Sequence, residues 1–146
     1  MKRIIKQIKY ISVTFVLSVI FISCSKDKQI LTDSKWVVEN IKVHADSTTA
    51  YKPMFRDREI ILSFSKENVF ILTMEANGGG GSVRFGSNNT IHFKETMPRT
   101  ERCCDSHFAE TCLSLLTSKI NHYKRKGNNL TFTGDNGETI NLIKQE

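Results

Sequence analysis

Residues 59–74, with the sequence EIILSFSKENVFILTM, carry the pattern that decides the fold. Two apolar runs, Glu59–Ser65 and Val69–Met74, are separated by the polar segment Lys66-Glu67-Asn68. Short β-branched and aromatic runs joined by a brief polar turn are typical of an antiparallel hairpin. The segment therefore predicts two neighbouring strands and indicates a β-sheet as the framework of the chain.

Similar short runs precede and follow this hairpin. Lys35–Val43 predicts a strand with one shift of face, which indicates a bulge. Further predicted strands, separated by Gly- and Asn-containing turns, are Ser82–Phe85, Thr90–Lys94, His122–Lys126, Asn129–Thr133 and Glu138–Ile143. Asn77 and the four glycines at 78–81 predict a flexible turn or a close passage of backbone. A P-loop is excluded there because no Gly-Lys-Ser/Thr ending follows.

One segment among the predicted strands has helical periodicity. It runs from Asp105 to about Asn121, and Asp105 or Ser106 can cap its N-terminus. Its apolar face consists of Phe108, Cys112, Leu115, Leu116 and Ile120. Seven or eight short strands with one amphipathic helix predict a mainly β fold. We expect a small curved antiparallel sheet or open β-barrel with the helix packed against it.

Length and composition limit the class of protein. The 146 residues suit one domain, and 39% hydrophobic with 25% charged residues excludes a disordered chain or a polytopic membrane protein. Residues 1–23 carry four of the 21 basic residues and no acidic one, which leaves 17 basic against 15 acidic residues. The formal charge of +6 is therefore no argument for nucleic-acid binding, and no nucleic-acid partner is expected.

The first 24 residues resemble a bacterial lipoprotein signal. The basic segment Met1–Lys9 precedes thirteen mainly apolar residues, Tyr10–Ile22, which are too few to span a bilayer. Phe21-Ile22-Ser23-Cys24 then resembles a lipobox, in which the Cys is lipidated and cleavage occurs before it. We expect a signal peptide over 1–23, a lipidated Cys24 with a tether over 24–34, and anchoring to the outer membrane. The alternatives are an uncleaved anchor or an ordinary secretory signal, and the sequence leaves open the periplasmic face or the cell surface.

Several residues of the β region follow the order and spacing of a known family. The matching positions are Leu31, Trp36, Ala76-Asn77, Gly81, Val83, Thr100, Cys104, Tyr123, Asn129–Phe132 and Asn136–Leu142. Together they resemble the META domain, the family of HslJ-type heat-shock lipoproteins, with the domain expected over residues 35–146. Ala76 stands where members usually carry Cys, and Glu101-Arg102-Cys103 also departs from the pattern. The resemblance implies links to envelope stress in some members and no catalytic residues.

Cys103, Cys104, His107 and Cys112 form the densest group of soft metal ligands in the sequence. Converging Cys and His side chains can bind zinc or copper(I), and disulfides compete for thiols in an oxidising periplasm. A helix from Asp105 places Cys104 about 12 Å from Cys112, beyond the roughly 7 Å that a disulfide allows. We expect Cys103, Cys104 and Cys112 to be structural thiols, with metal or redox sensing as the alternative, and we expect no cofactor.

The remaining polar residues indicate binding rather than catalysis. No nucleophile–base motif or distinctive carboxylate pair occurs in the sequence, so no enzyme is expected. The run Lys124-Arg125-Lys126, with Lys119 and His122, suits anionic lipid headgroups, although outward charges on a strand are usually only solvated. The expected function is a non-catalytic envelope binding or stress-related module, with the membrane and an envelope protein as partners. A small-ligand carrier in a lipocalin-like barrel is a further alternative.

Overall fold

The computed structural model of the chain describes residues 31–46, 59–98 and 105–146. These residues form eight strands and, between the fifth and sixth strands, a helix. The strands are β1 (Lys35–Lys42), β2 (Ile61–Phe64), β3 (Val69–Thr73), β4 (Gly78–Phe85), β5 (Ile91–Glu95), β6 (Ile120–Lys126), β7 (Asn129–Gly134) and β8 (Thr139–Lys144), and helix α1 is His107–Ser118. Within the described ranges, no helix combines the length and apolar character that crossing a bilayer requires.

All eight strands belong to one sheet in the order β5-β4-β3-β2-β1-β8-β7-β6, and each neighbouring pair is antiparallel. The two edge strands approach each other. The backbone N–H of Tyr123 donates to the carbonyl oxygen of Asn89 at 2.9 Å, and Thr90 forms an isolated bridge with His122. The sheet is therefore nearly closed into a barrel, which confirms the predicted mainly β fold with one helix.

Side chains from alternate strand positions fill the inside of this barrel. Trp36, Phe70 and Phe132 are among the largest side chains with no exposed surface. The Phe93 ring packs edge-to-face against two neighbouring rings. Its centroid lies 5.1 Å from that of Phe70 and 5.5 Å from that of Phe132. Perpendicular ring pairs of this kind add about 0.5–1.5 kcal/mol beyond the burial of their area. The core is thus built around interlocking aromatic rings.

The two ends of the barrel are closed by different connections. Because every pairing is antiparallel, successive connections alternate between the ends. One end, called the turn end here, carries the β2–β3, β4–β5 and β6–β7 turns, together with the start of β1 and the end of β8. The other, called the helix end, carries the β1–β2, β3–β4 and β7–β8 connections and helix α1. The N–H of Gln145 donates to the Lys35 carbonyl at 2.9 Å, which places both chain ends of the domain at the turn end.

Short turns with left-handed residues form the turn end. Asn68 has φ 60°, and Asn88 and Asn89 have φ 54° and 58°. Asparagine tolerates this region better than other residues with a Cβ, and two consecutive positive φ values are the mark of a type I′ hairpin turn. The predicted turns at 66–68 and 86–89 are confirmed. The predicted bulge in the first strand is also confirmed, as a register shift between Val38 and Asn40.

The helix is shorter than its sequence pattern predicted. It ends at Ser118, and Ile120 opens β6 instead of extending the apolar face of the helix. Ile120 faces the core in either structure, so the apolar pattern alone does not distinguish the two. Ser106 is the N-cap, as predicted, and its hydroxyl accepts from the Ala109 N–H at 3.2 Å. Leu113, which the sequence analysis left out of the apolar face, is fully buried.

The glycine run is a strand and not a turn, which corrects one of the two expectations for it. Residues 78–81 open β4 and pair in register with β3. A Cβ on Gly79 would lie 2.7 Å from the Leu113 Cδ2 atom, and one on Gly81 would collide with the carbonyl oxygen of Lys94. The absence of side chains lets the helix and the end of β5 lie against this strand. The close passage of backbone that the glycines also predicted is confirmed.

Candidate functional site

Polar side chains from two distant segments meet where the helix begins. Asp105 accepts from the backbone N–H groups of Ala76 at 2.8 Å and Asn77 at 3.1 Å, and from the Asn77 side-chain amide at 2.7 Å. In the opposite direction, Glu75 accepts from the Ser106 N–H at 3.1 Å and from the Ser106 hydroxyl at 2.6 Å. We call these five residues the helix clasp, because they join the β3–β4 connection to the first turn of α1.

The chemistry of the helix clasp is that of a structural joint. The N-terminus of a helix carries unpaired N–H donors and a partial positive charge, which a carboxylate and a capping hydroxyl both satisfy. Glu75 and Asp105 are each committed to hydrogen bonds from neighbouring backbone and side-chain donors. The arrangement fixes where the helix starts.

A further carboxylate, that of Glu138, lies where the helix ends. Glu138 is only 2% exposed, and its Oε2 atom accepts from the Asn136 N–H at 2.9 Å. A hydrogen bond from its own backbone N–H, aided by the backbone and side chain of Asn136 and the charge of Lys119, lowers the pKa of Glu138, against the opposing effect of burial. Gly134 makes room for this side chain, since a Cβ there would lie 2.6 Å from Glu138 Oε2 and 2.7 Å from the Lys119 carbonyl oxygen. Helix α1 therefore crosses the helix end from the helix clasp to the β7–β8 turn.

Among the predicted thiols, only Cys112 falls within the described residues. Its side chain is fully buried in the core-facing side of α1, and this burial raises the pKa of the thiol to about 12. A thiol with so high a pKa stays protonated at neutral pH, and it is the thiolate that attacks disulfides and binds metals. Cys24, Cys103 and Cys104 lie outside the described residues, so their lipidation and pairing stay predictions.

The structure brings no metal-binding cluster together in the parts of the chain that it describes. No group of three or more His, Cys, Asp or Glu side chains there is arranged to hold a metal ion. His107 is exposed whereas Cys112 is buried, so the two side chains lie on different faces of the helix. The metal alternative therefore depends on Cys103 and Cys104, outside the described ranges.

The basic run divides between the two ends of the barrel. Lys124 and Lys126 are exposed on the outer face of β6, near the turn end. Arg125 is half-buried, and its guanidinium donates to the Gly127 carbonyl at 2.9 Å. Lys119, which the sequence analysis grouped with them, lies at the helix end beside Gly134. These basic residues are close in sequence but lie at two separate places on the barrel.

The residues that carry the family resemblance are buried in the core or hold neighbouring segments together. Leu31 and Trp36 are fully buried, and the Trp36 indole N–H donates to the Leu31 carbonyl at 3.4 Å. Asn77 belongs to the helix clasp, Gly81 gives room to the end of β5, and Tyr123 is buried in the core. These positions explain why residue types at this spacing identify a fold.

Neither the helix clasp nor the burial of Glu138 could be predicted from the sequence. An Asp-Ser pair directly before an apolar helix is a local capping signal, which predicts the start of the helix but no distant partner. The partner segment, Glu75-Ala76-Asn77, is about 30 residues away, and no periodicity links the two. Glu138 directly follows Gly137, whose φ of 80° was signalled by the Asp135-Asn136-Gly137 turn, but its burial had no local signal.

Comparison with known proteins finds a matching family and solved structures of similar fold. The META domain family matches residues 29–146. An NMR structure of a protein from Burkholderia xenovorans is similar, with a TM-score of 0.62 at 21% identity over 80% of this chain and 85% of that one. A crystal structure of a DUF4847 family protein from Bacteroides vulgatus is similar with a TM-score of 0.59 at 12% identity, over 82% of this chain and 99% of that one. The search of curated proteins found no match.

The two structural likenesses concern the fold, because both identities are low. They agree with a nearly closed eight-stranded sheet and one helix, which is the architecture described above. The family match covers almost all of that architecture, from just before Leu31 to the last residue. The chain belongs to the META domain family.

Proposed function

We propose that this protein is an outer-membrane-anchored lipoprotein whose META domain is a non-catalytic binding or stress-related module of the envelope. The observation that carries the proposal is the order of features in residues 1–24. A basic segment, a short apolar run and Phe21-Ile22-Ser23-Cys24 follow one another with the spacing of a lipoprotein signal. A diacylglycerol and an N-acyl chain on Cys24 would together hold the domain on a membrane, since one chain alone binds only marginally.

The interior of the barrel supports binding at the outer surface. A small-ligand carrier needs a cavity of a few hundred Å³, lined mainly by apolar side chains. Trp36, Phe70 and Phe132 have no exposed surface, and Phe93 packs against two of these rings at centroid distances of 5.1 and 5.5 Å. Side chains packed this closely favour a structural core over a carrier site.

The buried helix thiol supports the same reading over redox sensing. A sensor Cys is solvent-accessible with a lowered pKa, whereas the Cys112 thiol is fully buried with a pKa raised to about 12. The carboxylates of Glu75 and Asp105 accept hydrogen bonds that join the start of the helix to the β3–β4 connection, and the carboxylate of Glu138 accepts one within the β7–β8 turn. The groups at this end therefore suit a stable scaffold whose outer surface meets partners.

The anchor is tested by processing of the full chain in a bacterial envelope. We expect the purified protein to begin at Cys24, to carry the mass of added acyl chains and to partition into a detergent phase. Cys24→Ser should remain an unacylated precursor. Ser23→Ala is the matched control, because it keeps a small residue before the Cys and should be processed normally.

The outcomes separate the alternatives for this segment. A mature chain that begins elsewhere, with no added acyl mass, would indicate an ordinary secretory signal. Equal processing of wild type and Cys24→Ser would contradict a lipobox. Thiol labelling of the same preparations, before and after unfolding and with metal analysis, would test the redox alternative. A bound metal whose removal exposes Cys103 or Cys104 would replace the proposed role with a metal site.

A further inference from the structure

The outer wall formed by β4, β5 and β6 carries positive charge without outward negative charge. Its exposed outward side chains include Arg84 on β4, His92 and Lys94 on β5, and His122, Lys124 and Lys126 on β6. Four of the six, Arg84, Lys94, Lys124 and Lys126, carry a formal positive charge, and we call the six residues together the cationic wall. Within these three strands no carboxylate shares their face, since Glu95 is half-buried and alternates with Lys94.

The strand register makes the cationic wall continuous. Arg84 lies directly opposite His92 in the β4–β5 pair, and the bridge between Thr90 and His122 joins β5 to β6 at the seam. Alternate residues of a strand are about 6.7 Å apart and neighbouring strands about 4.8 Å apart. The four charged side chains therefore lie along this seam, from Lys94 at the helix end to Lys126 at the turn end, with His92 and His122 between them.

The rest of the outer surface differs from this wall. Outward positions on β1 include Lys35 and the acidic Glu39, so that charges of both signs occur along one strand. On β7 and β8 the corresponding positions include Thr131, Thr133 and Asn141. Charges of one sign collected on one face attract an extended anionic partner, whereas mixed charges are mostly solvated.

The place where the chain enters the domain indicates which anionic partner this is. Leu31 is buried directly before β1, at the turn end, and only six residues lie between it and Cys24. The seven Cα–Cα steps from Cys24 to Leu31 span at most about 25 Å, and a domain of this size is about 35 Å across. If Cys24 is lipidated, as the proposed function holds, the domain cannot move its own width away from the bilayer.

We propose that the cationic wall rests on the phosphate headgroups of the membrane to which Cys24 is anchored. Each basic side chain close to an anionic leaflet strengthens attachment by about five-fold, within a Debye length of about 8–10 Å. Lys124 and Lys126, nearest to the tether, make the closest approach, and Lys94 lies further away. The domain is thereby tilted with this wall facing the membrane, its turn end nearest to the bilayer and its helix end furthest from it.

The test uses the full acylated protein reconstituted into vesicles, with amine-reactive labelling read by peptide mass spectrometry. Neutral vesicles are phosphatidylcholine, and anionic ones contain about a third phosphatidylglycerol. We expect the labelling rates of Lys124 and Lys126 in anionic vesicles to be about one third of those in neutral vesicles, or lower. Lys94 should be protected to a smaller extent. About 0.5 M salt should abolish the difference. Lys42 and Lys119 are internal controls at the helix end, and their labelling should be the same in both.

Two variants sharpen the test. The double variant Lys124→Glu with Lys126→Glu should lose the protection of Lys94, and both substitutions are at exposed positions that leave the core intact. Lys42→Glu, which changes the charge by half as much and does so at the helix end, should retain protection of Lys94, Lys124 and Lys126. Circular dichroism of both variants establishes that the fold is unchanged.

Failure of this inference and failure of the proposed function give different results. The mass of the protein reports acylation of Cys24 independently of any vesicle composition. If the protein proves unacylated, sedimentation of that protein with the same vesicles tests the wall alone, and binding to anionic vesicles at low salt supports it. Equal labelling of Lys124 and Lys126 in both vesicle types, or equal protection of Lys119, would overturn the inference. Protection by added single-stranded DNA but not by anionic vesicles would also overturn it, in favour of a soluble polyanion.

Discussion

The turn end and the helix end close one barrel with different kinds of contact. At the turn end, residues close in sequence do the work, as in the Asn88-Asn89 turn with its two positive φ values. At the helix end, residues far apart in sequence meet, as when Asp105 binds the backbone of Ala76 and Asn77. The turns at the turn end are each specified by their own residues, whereas the helix clasp forms only when distant segments of the chain have come together.

This difference predicts where the domain is sensitive to substitution. A local turn has few partners to lose, and its cost is mainly that of the backbone conformation. When one side chain of a long-range contact is removed, several hydrogen-bond donors lose their acceptor or a cavity remains. Substitutions at the helix end should therefore lower the free energy of unfolding more than those at the turn end.

The largest loss is expected at Gly81, where β4 lies against the end of β5 that leads to the helix. In Gly81→Ala, the new Cβ would collide with the Lys94 carbonyl and lie 2.7 Å from the Thr96 nitrogen, so that the two backbones would have to separate. We expect the free energy of unfolding to fall by about 4 kcal/mol, measured by urea denaturation. Gly78→Ala is the control, because its nearest atom would be 3.7 Å away and little change is expected. Equal losses in both variants would contradict this account of the glycine run.

Removal of the helix side chain that packs on Gly79 should cost somewhat less. Leu113→Ala would leave a cavity at a fully buried position between the helix and β4. A loss of about 3 kcal/mol is expected, since buried Leu-to-Ala changes cost 2–5 kcal/mol. Ser114→Ala, one position along on the exposed side of the helix, should change stability by less than about 0.5 kcal/mol. Thermal unfolding of both variants would show whether the helix is held by packing at this point.

Loss of the helix clasp should have an intermediate effect. Asp105→Ala removes the acceptor of two backbone N–H groups and of the Asn77 side chain. We expect a loss of about 2 kcal/mol, because half-buried donors would lose their partner. Amide hydrogen exchange should increase at Ala76 and Asn77 and remain unchanged in the turn at 86–89. Faster exchange at both ends would mean that the ends are not independent.

Glu138 makes part of the helix-end stability dependent on pH. Its pKa in the folded protein is lowered from 4.5, so its stabilising effect is present above about pH 4.5 and is lost as the pH falls through the folded-state value. Glu138→Gln should therefore be less stable than wild type at pH 7, and the difference should shrink at lower pH. Chemical denaturation at a series of pH values measures this. A difference that stays constant with pH would show that the carboxylate charge is unimportant.

The smallest effect is expected at the turn end. Asn88 has φ 54°, a conformation that glycine adopts without strain. The relief of strain in Asn88→Gly is opposed by the greater flexibility of glycine in the unfolded chain, so the free energy of unfolding should change by less than about 0.5 kcal/mol. Asn88→Val, which places a β-branched side chain at positive φ, should cost more, about 1–2 kcal/mol. A large loss in the glycine variant would indicate that the turn end also depends on distant contacts.

The parts of the fold that could be predicted are those with local causes. The hairpin at 59–74, the turn at 86–89 and the Ser106 cap each follow from residues within a few positions of one another. The turn predicted at the glycine run was wrong. The run is a strand that needs glycine because Leu113 and Lys94 approach it closely, which happens only in the folded sheet. Likewise, no short-range pattern in the sequence pairs Glu75 with Ser106.

The candidate site could be predicted less well than the fold. Burial of Cys112 follows from its place on the apolar side of a helix, but the buried Glu138 does not follow from its turn sequence. The positive charge of β6 was visible as a run of basic letters. Its extension onto Arg84 and Lys94 was not, since it depends on the meeting of β5 and β6 at the seam.

The pairing of β1 with β8 also determines when the domain can finish folding. These strands are the first and last to be synthesised, yet they are paired from Trp36 with Lys144 to Lys42 with Thr139. Until the final residues are released, β1 has a partner on one side only, and contacts of such long sequence separation form slowly. The barrel therefore completes itself only after the whole chain is available. A domain with this strand order therefore has no closed barrel until its last strand has been synthesised.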